Sequence, residues 1–372
     1  MNPLEQILKC GQSIWLDSIS RDLINSGELQ RLVDEDHLRG LTSNPTIFEQ
    51  AIAHGNSYDD TLRQSLSANS EQTDKSLFET IAIEDIRMAA DVFRPVYDEA
   101  GGVDGFVSLE VSPYLAHDTK GSIAEARRLW KAVQRPNLMI KIPATPEGIP
   151  AIEQLISEGI NVNITLMFSL HHYATVARAY IDGLNRYTPS GGSGNWPVSV
   201  ASFFVSRIDT AVDKLLEKIG TAEALGLRGK IGIANAKLAY HRFREIFHGN
   251  QFSPLLSKGA HIQRPLWGST GTKNPAYSDV LYIEQLIGPE SVNTVPPKTL
   301  AAFRDHGQAR ETIMENVAQA EADIARLKHL SIDLDAITVQ LQDDGVDSFI
   351  KSYDSLLASI RAKRQEIAPA PA

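Results

Sequence analysis

Residues 138–184 read LMIKIPATPEGIPAIEQLISEGINVNITLMFSLHHYATVARAYIDGL. Two apolar, β-branched runs, Leu138–Thr145 and Asn161–Phe168, are each followed by a stretch of helical spacing, Gly148–Glu158 and Leu170–Leu184. Short apolar runs of this kind predict strands, and strands alternating with helices predict parallel βαβ units. The alternation continues in both directions. Further candidate strands are Ile14–Ile19, Gly40–Thr46, Gly105–Ser112, Val198–Val205, Pro265–Thr270 and Ser291–Val295. Ile123–Gln134, Asp209–Lys218 and Asp279–Ile287 read as helices between them. Eight strands predict an α/β chain closed as a (β/α)8 TIM barrel. A doubly wound open sheet is the alternative.

The chain has 372 residues, against about 250 for a minimal barrel. The surplus falls in three places. Ala51–Glu99, between the second and third strands, reads as largely helical. Ala234–Gln263 reads as a helix over Asn235–Phe247 and then a loop. Gln308–Ile367 reads as two or three amphipathic helices. Thr188–Pro197 (TPSGGSGNWP) is expected to be a surface loop, and Ala368–Ala372 (APAPA) a disordered tail. No stretch marks a boundary, so residues 1–372 are expected to form a single domain.

With 42% hydrophobic and 22% charged residues the composition is globular, which excludes a disordered or fibrous chain. No apolar run reaches the roughly 18 residues of a membrane span. A net charge of −10 argues against nucleic acid and acidic membranes as partners. Small anions remain possible, provided that cations are placed locally. The single cysteine, Cys10, excludes an internal disulfide and fits a reducing compartment. The N-terminus lacks the basic-then-apolar pattern of a signal peptide, so a cytoplasmic location is expected.

Barrels of this class carry their active sites at the C-terminal ends of the strands. Polar residues late in apolar strands are therefore the candidates: Asp17, Asn44, Glu110, Lys141, Asn163 and Thr165. Alternation puts Asn163 and Thr165 on one face, likewise Thr42 with Asn44, and Ser108 with Glu110 and Ser112. Lys141 stands in an apolar strand, and ammonium groups are rarely buried unpaired. It is either a structural lysine neutralised by Asp17 or Glu110, a surface residue, or a desolvated amine able to form a Schiff base with a ketone or aldehyde. Asp17 and Glu110 are correspondingly salt-bridge partners or proton carriers. A paired-carboxylate glycosidase would also use Asp and Glu but would not need Lys141.

Gly268–Pro275 (GSTGTKNP) follows the seventh strand, where many barrels bind phosphate, and its backbone could form an anion nest. Arg207 could add a planar fork for phosphate, or pair with Asp209 at the surface. The ten histidines are scattered and one cysteine makes no thiolate cluster, so no metal site is expected. No glycine-rich nucleotide motif and no nucleophile elbow occurs.

Seven stretches together resemble the transaldolase family. They are WLDSISRDLINSGEL (Trp15–Leu29), GLTSNPTIFEQAI (Gly40–Ile52), VSLEVSP (Val107–Pro113), MIKIPATPEGIPAI (Met139–Ile152), NVNITLMFS (Asn161–Ser169), SFFVSRID (Ser202–Asp209) and WGSTGTKNPAYSD (Trp267–Asp279). The length and the STGTKNP element resemble the longer bacterial branch. The resemblance implies a (β/α)8 barrel that moves a dihydroxyacetone unit between sugar phosphates without cofactor or metal. The donors would be sedoheptulose 7-phosphate or fructose 6-phosphate, and the acceptors erythrose 4-phosphate or glyceraldehyde 3-phosphate, in the non-oxidative pentose phosphate pathway.

Residue by residue, Lys141 matches the Schiff-base lysine and Asp17 the acid/base at the C4 hydroxyl. Glu110 and Thr165 match the pair that positions a catalytic water. Asn44, Asn163 and Ser202 match positions that hold the dihydroxyacetone hydroxyls. Phe204 matches an aromatic wall, and Arg207 a phosphate-binding arginine. Lys273 stands where shorter members have a second phosphate-binding arginine; it keeps the charge and loses the fork. The short fructose 6-phosphate aldolases resemble this pattern but carry Gln and Tyr in place of Glu110 and Phe204, which favours transfer over release of free dihydroxyacetone. A barrel that binds sugar phosphates without turning them over is a remaining alternative, and the expected assembly is a monomer or homodimer.

Overall fold

The computed structural model describes residues 2–53, 55–187 and 196–367. The expected loop Thr188–Pro197, apart from Trp196 and Pro197, and the expected tail Ala368–Ala372 lie outside the described residues.

Eight parallel strands pair in chain order and close on themselves as a barrel, not as the open sheet that was the alternative. They are β1 (Gln12–Asp17), β2 (Gly40–Thr42), β3 (Phe106–Glu110), β4 (Leu138–Pro143), β5 (Val162–Met167), β6 (Ser199–Phe204), β7 (Arg264–Gly268) and β8 (Ser291–Val295). Each answers to an expected strand. β1 begins earlier than its apolar run, because Gln12 buries its amide against Leu286 O (2.7 Å) and Ser291 Oγ (2.8 Å). β2 ends earlier than expected, because Asn44 caps the next helix, its Oδ1 accepting from Ile47 N at 3.0 Å.

The helices in chain order begin with α1 (Pro3–Lys9), α2 (Arg21–Asn25) and α3 (Glu28–Asp36). The insertion after β2 holds α4 (Pro45–Ala53), α5 (Asp59–Ala68) and α6 (Asp74–Glu99). Then come α7 (Thr119–Val133), α8 (Gly148–Ser157), α9 (Leu170–Arg186), α10 (Ser206–Ile219), α11 (Ala222–Leu225), α12 (Ile231–Phe247) and α13 (Ser253–Leu256). α14 (Leu281–Gln285) and α15 (Pro297–His306) flank β8, and α16 (Val317–His329) and α17 (Leu334–Ile367) complete the chain. The C-terminal stretch is thus two helices.

The period-2 alternation of the strands divides the barrel into layers. Trp15, Phe106, Met139, Val200, Leu266 and Val292 come from six strands and form one buried cluster. Two residues further along the same strands stand Asp17, Ser108, Lys141, Ser202, Gly268 and Thr294, a predominantly polar layer on the side of the C-terminal ends. The apolar cluster fits only because Gly40 has no side chain: a Cβ there would lie 2.6 Å from the Trp15 ring. At the opposite end Asp104 takes the indole N–H of Trp15 at 2.9 Å and pairs with Arg264 at 3.3 Å.

α17 joins two of the three surplus regions, the C-terminal one and the insertion after β2. It packs on α4, α5, α6, α10 and the end of β5. Thr46 Oγ1 donates to Ser352 Oγ at 2.8 Å, and Lys363 reaches Asp59 at 3.0 Å. No helix among the described residues is long and apolar enough to cross a membrane.

Candidate active site

Strand pairing brings the polar candidates together before any side chain is considered. Glu110 lies in register with Lys141, Lys141 with Asn163, and Asp17 with Thr42. At the C-terminal ends of the strands a cavity of about 330 Å³ opens, lined by Asp17, Asn44, Lys141, Thr165, Ser202, Phe204, Arg207 and Lys273 among others. Glu110 and Asn163 adjoin it, Glu110 Oε2 at 3.4 Å from Lys141 and Asn163 bonded to Ser202 at 2.7 Å. All ten candidates therefore meet at one end of the barrel. A larger hollow of about 560 Å³ lies outside the barrel among α9, α12, α16 and α17, and no strand residue lines it.

Lys141 is 5% exposed. Its ammonium nitrogen donates to the carbonyl of Ser43 at 2.9 Å and stands 3.4 Å from Glu110 Oε2. The surface alternative for Lys141 is thereby excluded. Burial pushes the Glu110 carboxyl above the usual carboxylate range, and the nearby Lys141 charge opposes the shift. Asp17 behaves alike: burial raises it, while Lys141, the Thr42 hydroxyl at 2.8 Å and Arg207 act against the rise. Two carboxyls whose proton affinity is raised by burial, beside one amine, are suited to carry protons.

Asn163 is fixed at both ends of its amide. Its Nδ2 donates to Ser108 Oγ at 3.0 Å, and its Oδ1 accepts from Ser202 Oγ at 2.7 Å. Thr165 is fully buried, and its hydroxyl makes no hydrogen bond among the described residues, while Glu110 Oε2 has only its contact with Lys141 at 3.4 Å. A buried hydroxyl left unpaired in this way is an exception that points to a site.

Phe204 packs edge-on against Phe168, with ring centroids 5.3 Å apart, and the Arg207 guanidinium lies over its ring at 5.2 Å. Arg207 makes no ion pair among the described residues. The alternative, a surface pair with Asp209, does not form, because residues two apart on a helix point to different faces. Burial holds the Arg207 guanidinium below its usual value, with Asp17 opposing. Lys273 sits at the exposed mouth. Desolvation there and the Arg207 charge hold its ammonium below the usual lysine value.

Several site residues had no marker in the sequence. The Ser43 carbonyl holds Lys141, and the bond by which Thr42, already placed on the face of Asn44, supports Asp17 is likewise unannounced. Lys298 and Thr299, at the start of α15, line the cavity; the only signal was their place directly after the eighth strand. Phe349 reaches the cavity from α17. On the same helix Gln342 Nε2 donates to Ala144 O (3.0 Å) and Leu166 O (2.9 Å), tying the ends of β4 and β5 together. Leu166 holds a left-handed backbone at φ 59°, where β5 breaks register with β6. Among the described residues no group of three or more His, Cys, Asp or Glu could hold a metal ion.

Comparison with known proteins gives a consistent result. The family model described as transaldolase/fructose-6-phosphate aldolase matches residues 14–360. A protein of Thiobacillus denitrificans named transaldolase is 48% identical over 361 residues, 97% of this chain and 100% of the relative. Proteins of the same name from Thermobifida fusca (47% over 357 residues, 96% of each chain) and Trichodesmium erythraeum (43% over 378 residues, 99% of each chain) are similar over comparable lengths.

Proposed function

The chain belongs to the transaldolase/fructose-6-phosphate aldolase family and is a transferase of the transaldolase type, and from that premise we propose that it carries a dihydroxyacetone unit between sugar phosphates on Lys141. The donor is sedoheptulose 7-phosphate or fructose 6-phosphate, and the acceptor glyceraldehyde 3-phosphate or erythrose 4-phosphate. The observation that carries this reading is the buried Lys141 amine, 3.4 Å from Glu110, in a cavity that Asp17 also lines.

The Lys141 amine attacks the C2 carbonyl of the donor and gives a carbinolamine. Glu110 delivers the proton with which water leaves, and the Thr165 hydroxyl orients that water. The unpaired Thr165 hydroxyl, and a Glu110 Oε2 that contacts only Lys141, support this pairing. Asp17 removes the C4 hydroxyl proton, the C3–C4 bond breaks, and its electron pair flows into the iminium. The aldose phosphate departs and the enamine stays on Lys141. The iminium is itself the electron sink, so the sequence of steps calls for no cofactor. In the second half the enamine carbon attacks the acceptor aldehyde, Asp17 returns its proton, and water releases the new ketose.

Asn44 and Asn163, the latter fixed by Ser202 and Ser108, hold the hydroxyls of the three-carbon unit. Arg207 and Lys273 hold the phosphate at the far end of either sugar. Phe204, and Phe349 from α17, wall the cavity. A wall of this kind keeps bulk water from the enamine. Glu110 and Phe204 favour transfer over release of free dihydroxyacetone. The same reading makes the protein a cytoplasmic enzyme of the non-oxidative pentose phosphate pathway, one domain over residues 1–372, acting as a monomer or homodimer.

The test is a transfer assay on Lys141→Ala, with sedoheptulose 7-phosphate formation as readout and circular dichroism as the check on folding. Loss of turnover in a folded variant is expected; near-normal turnover would refute the role. Free dihydroxyacetone accumulating at the transfer rate without acceptor would instead favour the aldolase reading.

A further inference from the structure

Lys273 makes no ion pair or hydrogen bond among the described residues, so only its loop sets its position. That loop is clasped to the helix that carries Arg207. Asp209 and Asp213 lie four residues apart on one face of α10, and both are buried. Each carboxylate accepts a backbone N–H from the chain entering α12. Gly232 N reaches Asp209 Oδ1 at 2.7 Å, and Gly229 N reaches Asp213 Oδ1 at 3.0 Å. Each turns its other oxygen to a tyrosine hydroxyl beyond β7: Tyr282 to Asp209 at 2.9 Å and Tyr277 to Asp213 at 2.6 Å. Tyr277 follows Lys273 by four residues. The segment between is closed by Thr272 Oγ1, which donates to Ser278 O at 2.8 Å.

Neither carboxylate pairs with a cation among the described residues. Burying two carboxylates without a cation is costly, even when they are hydrogen-bonded. The fold accepts that cost where α10 meets the loop of Lys273. Arg207 occupies the first turn of the same helix, two residues before Asp209. The clasp therefore joins, through one rigid element, two of the cations that line the cavity, Arg207 and Lys273.

We propose that Tyr277 and Tyr282, held by Asp213 and Asp209, are positioning residues that fix Lys273 relative to Arg207 and thereby set the preference for phosphorylated over unphosphorylated sugars. The proposal rests on the reading of Arg207 and Lys273 as the phosphate site. It deepens that reading by assigning the specificity to a clasp that does not touch substrate.

The experiment compares fructose 6-phosphate with fructose as donor and unphosphorylated D-erythrose as acceptor, reading sedoheptulose. Wild type, Tyr277→Phe, Tyr282→Phe and Lys273→Ala are measured. KM and the ratio of the two donors do not depend on the folded fraction, so partial unfolding does not imitate the effect. Lys273→Ala is expected to raise KM for fructose 6-phosphate selectively. Each phenylalanine variant is expected to do the same by about fivefold, the equivalent of roughly one hydrogen bond, with kcat little changed. If Lys273→Ala discriminates between the donors and neither tyrosine variant does, the clasp is only structural and the proposal falls while the phosphate site stands. If Lys273→Ala itself fails to discriminate, the phosphate reading of Lys273 is wrong and the proposal falls with it.

Discussion

Replacing Gln342 with methionine tests whether the C-terminal helix belongs to the catalytic apparatus. Methionine keeps the length and nearly the volume of the side chain but donates no hydrogen bond. The change removes the bonds to Ala144 O and Leu166 O, at 3.0 and 2.9 Å. Gln342 is 6% exposed, so both carbonyls would lose a donor where water cannot readily replace it. A buried acceptor left unsatisfied costs about 1–3 kcal/mol, so the two carbonyls together give a destabilisation of roughly 2–6 kcal/mol. Urea denaturation followed by circular dichroism reads that loss. Catalysis should fall as well, because Ala144 follows Lys141 by three residues and Leu166 follows Thr165 directly. A displacement of about 1 Å can cost a hundredfold, so a loss in kcat of tenfold or more is expected, with KM changed less. A variant within about 0.5 kcal/mol of wild type and with unchanged kcat would refute the reasoning.

Three further outcomes follow from the same structure. Burial pushes Asp209 up to about 7, against about 3.9 in an unfolded chain. The folded state then binds the extra proton between those values, so stability falls as pH rises from about 4 to about 7 and levels off above. Wild type should lose on the order of 4 kcal/mol relative to Asp209→Asn across that window; a pH-independent difference in urea melts would contradict this. Asp85→Ala leaves the Arg21 guanidinium, now 2.5 Å from Asp85, without its buried partner, and should cost about 3 kcal/mol or more; an unchanged thermal midpoint would contradict it. Arg207→Lys keeps the charge but loses the planar fork and the stacking on Phe204, and should raise KM for fructose 6-phosphate about tenfold; an unchanged KM would remove Arg207 from the phosphate site.

The barrel was legible because each strand is an apolar, β-branched run with a turn former beyond it. The site was legible for a related reason: Asp17, Glu110, Lys141, Asn163 and Thr165 are polar residues placed where alternation points inward. Strand ends were less so. Gln12 belongs to β1 through its side-chain bonds, and β2 stops at Thr42 because Asn44 already caps α4. Local pattern fails most clearly at α17. Its periodicity marks an apolar face, but that face covers α4, α6, α10 and the end of β5, contacts made across hundreds of residues of chain. Gln342 and Phe349 carry no local sign of their targets. Arg207 and Asp209 show the converse, in which neighbours in sequence of opposite charge offer a pairing that the helix carrying both sets apart.

The central claim is that the three-carbon unit rides on Lys141. The most direct measurement is to incubate the protein with fructose 6-phosphate, reduce with borohydride, and map the modified peptide by mass spectrometry. The account predicts a reduced three-carbon adduct on Lys141, absent from Lys141→Ala. No adduct, or an adduct on another lysine, would contradict it.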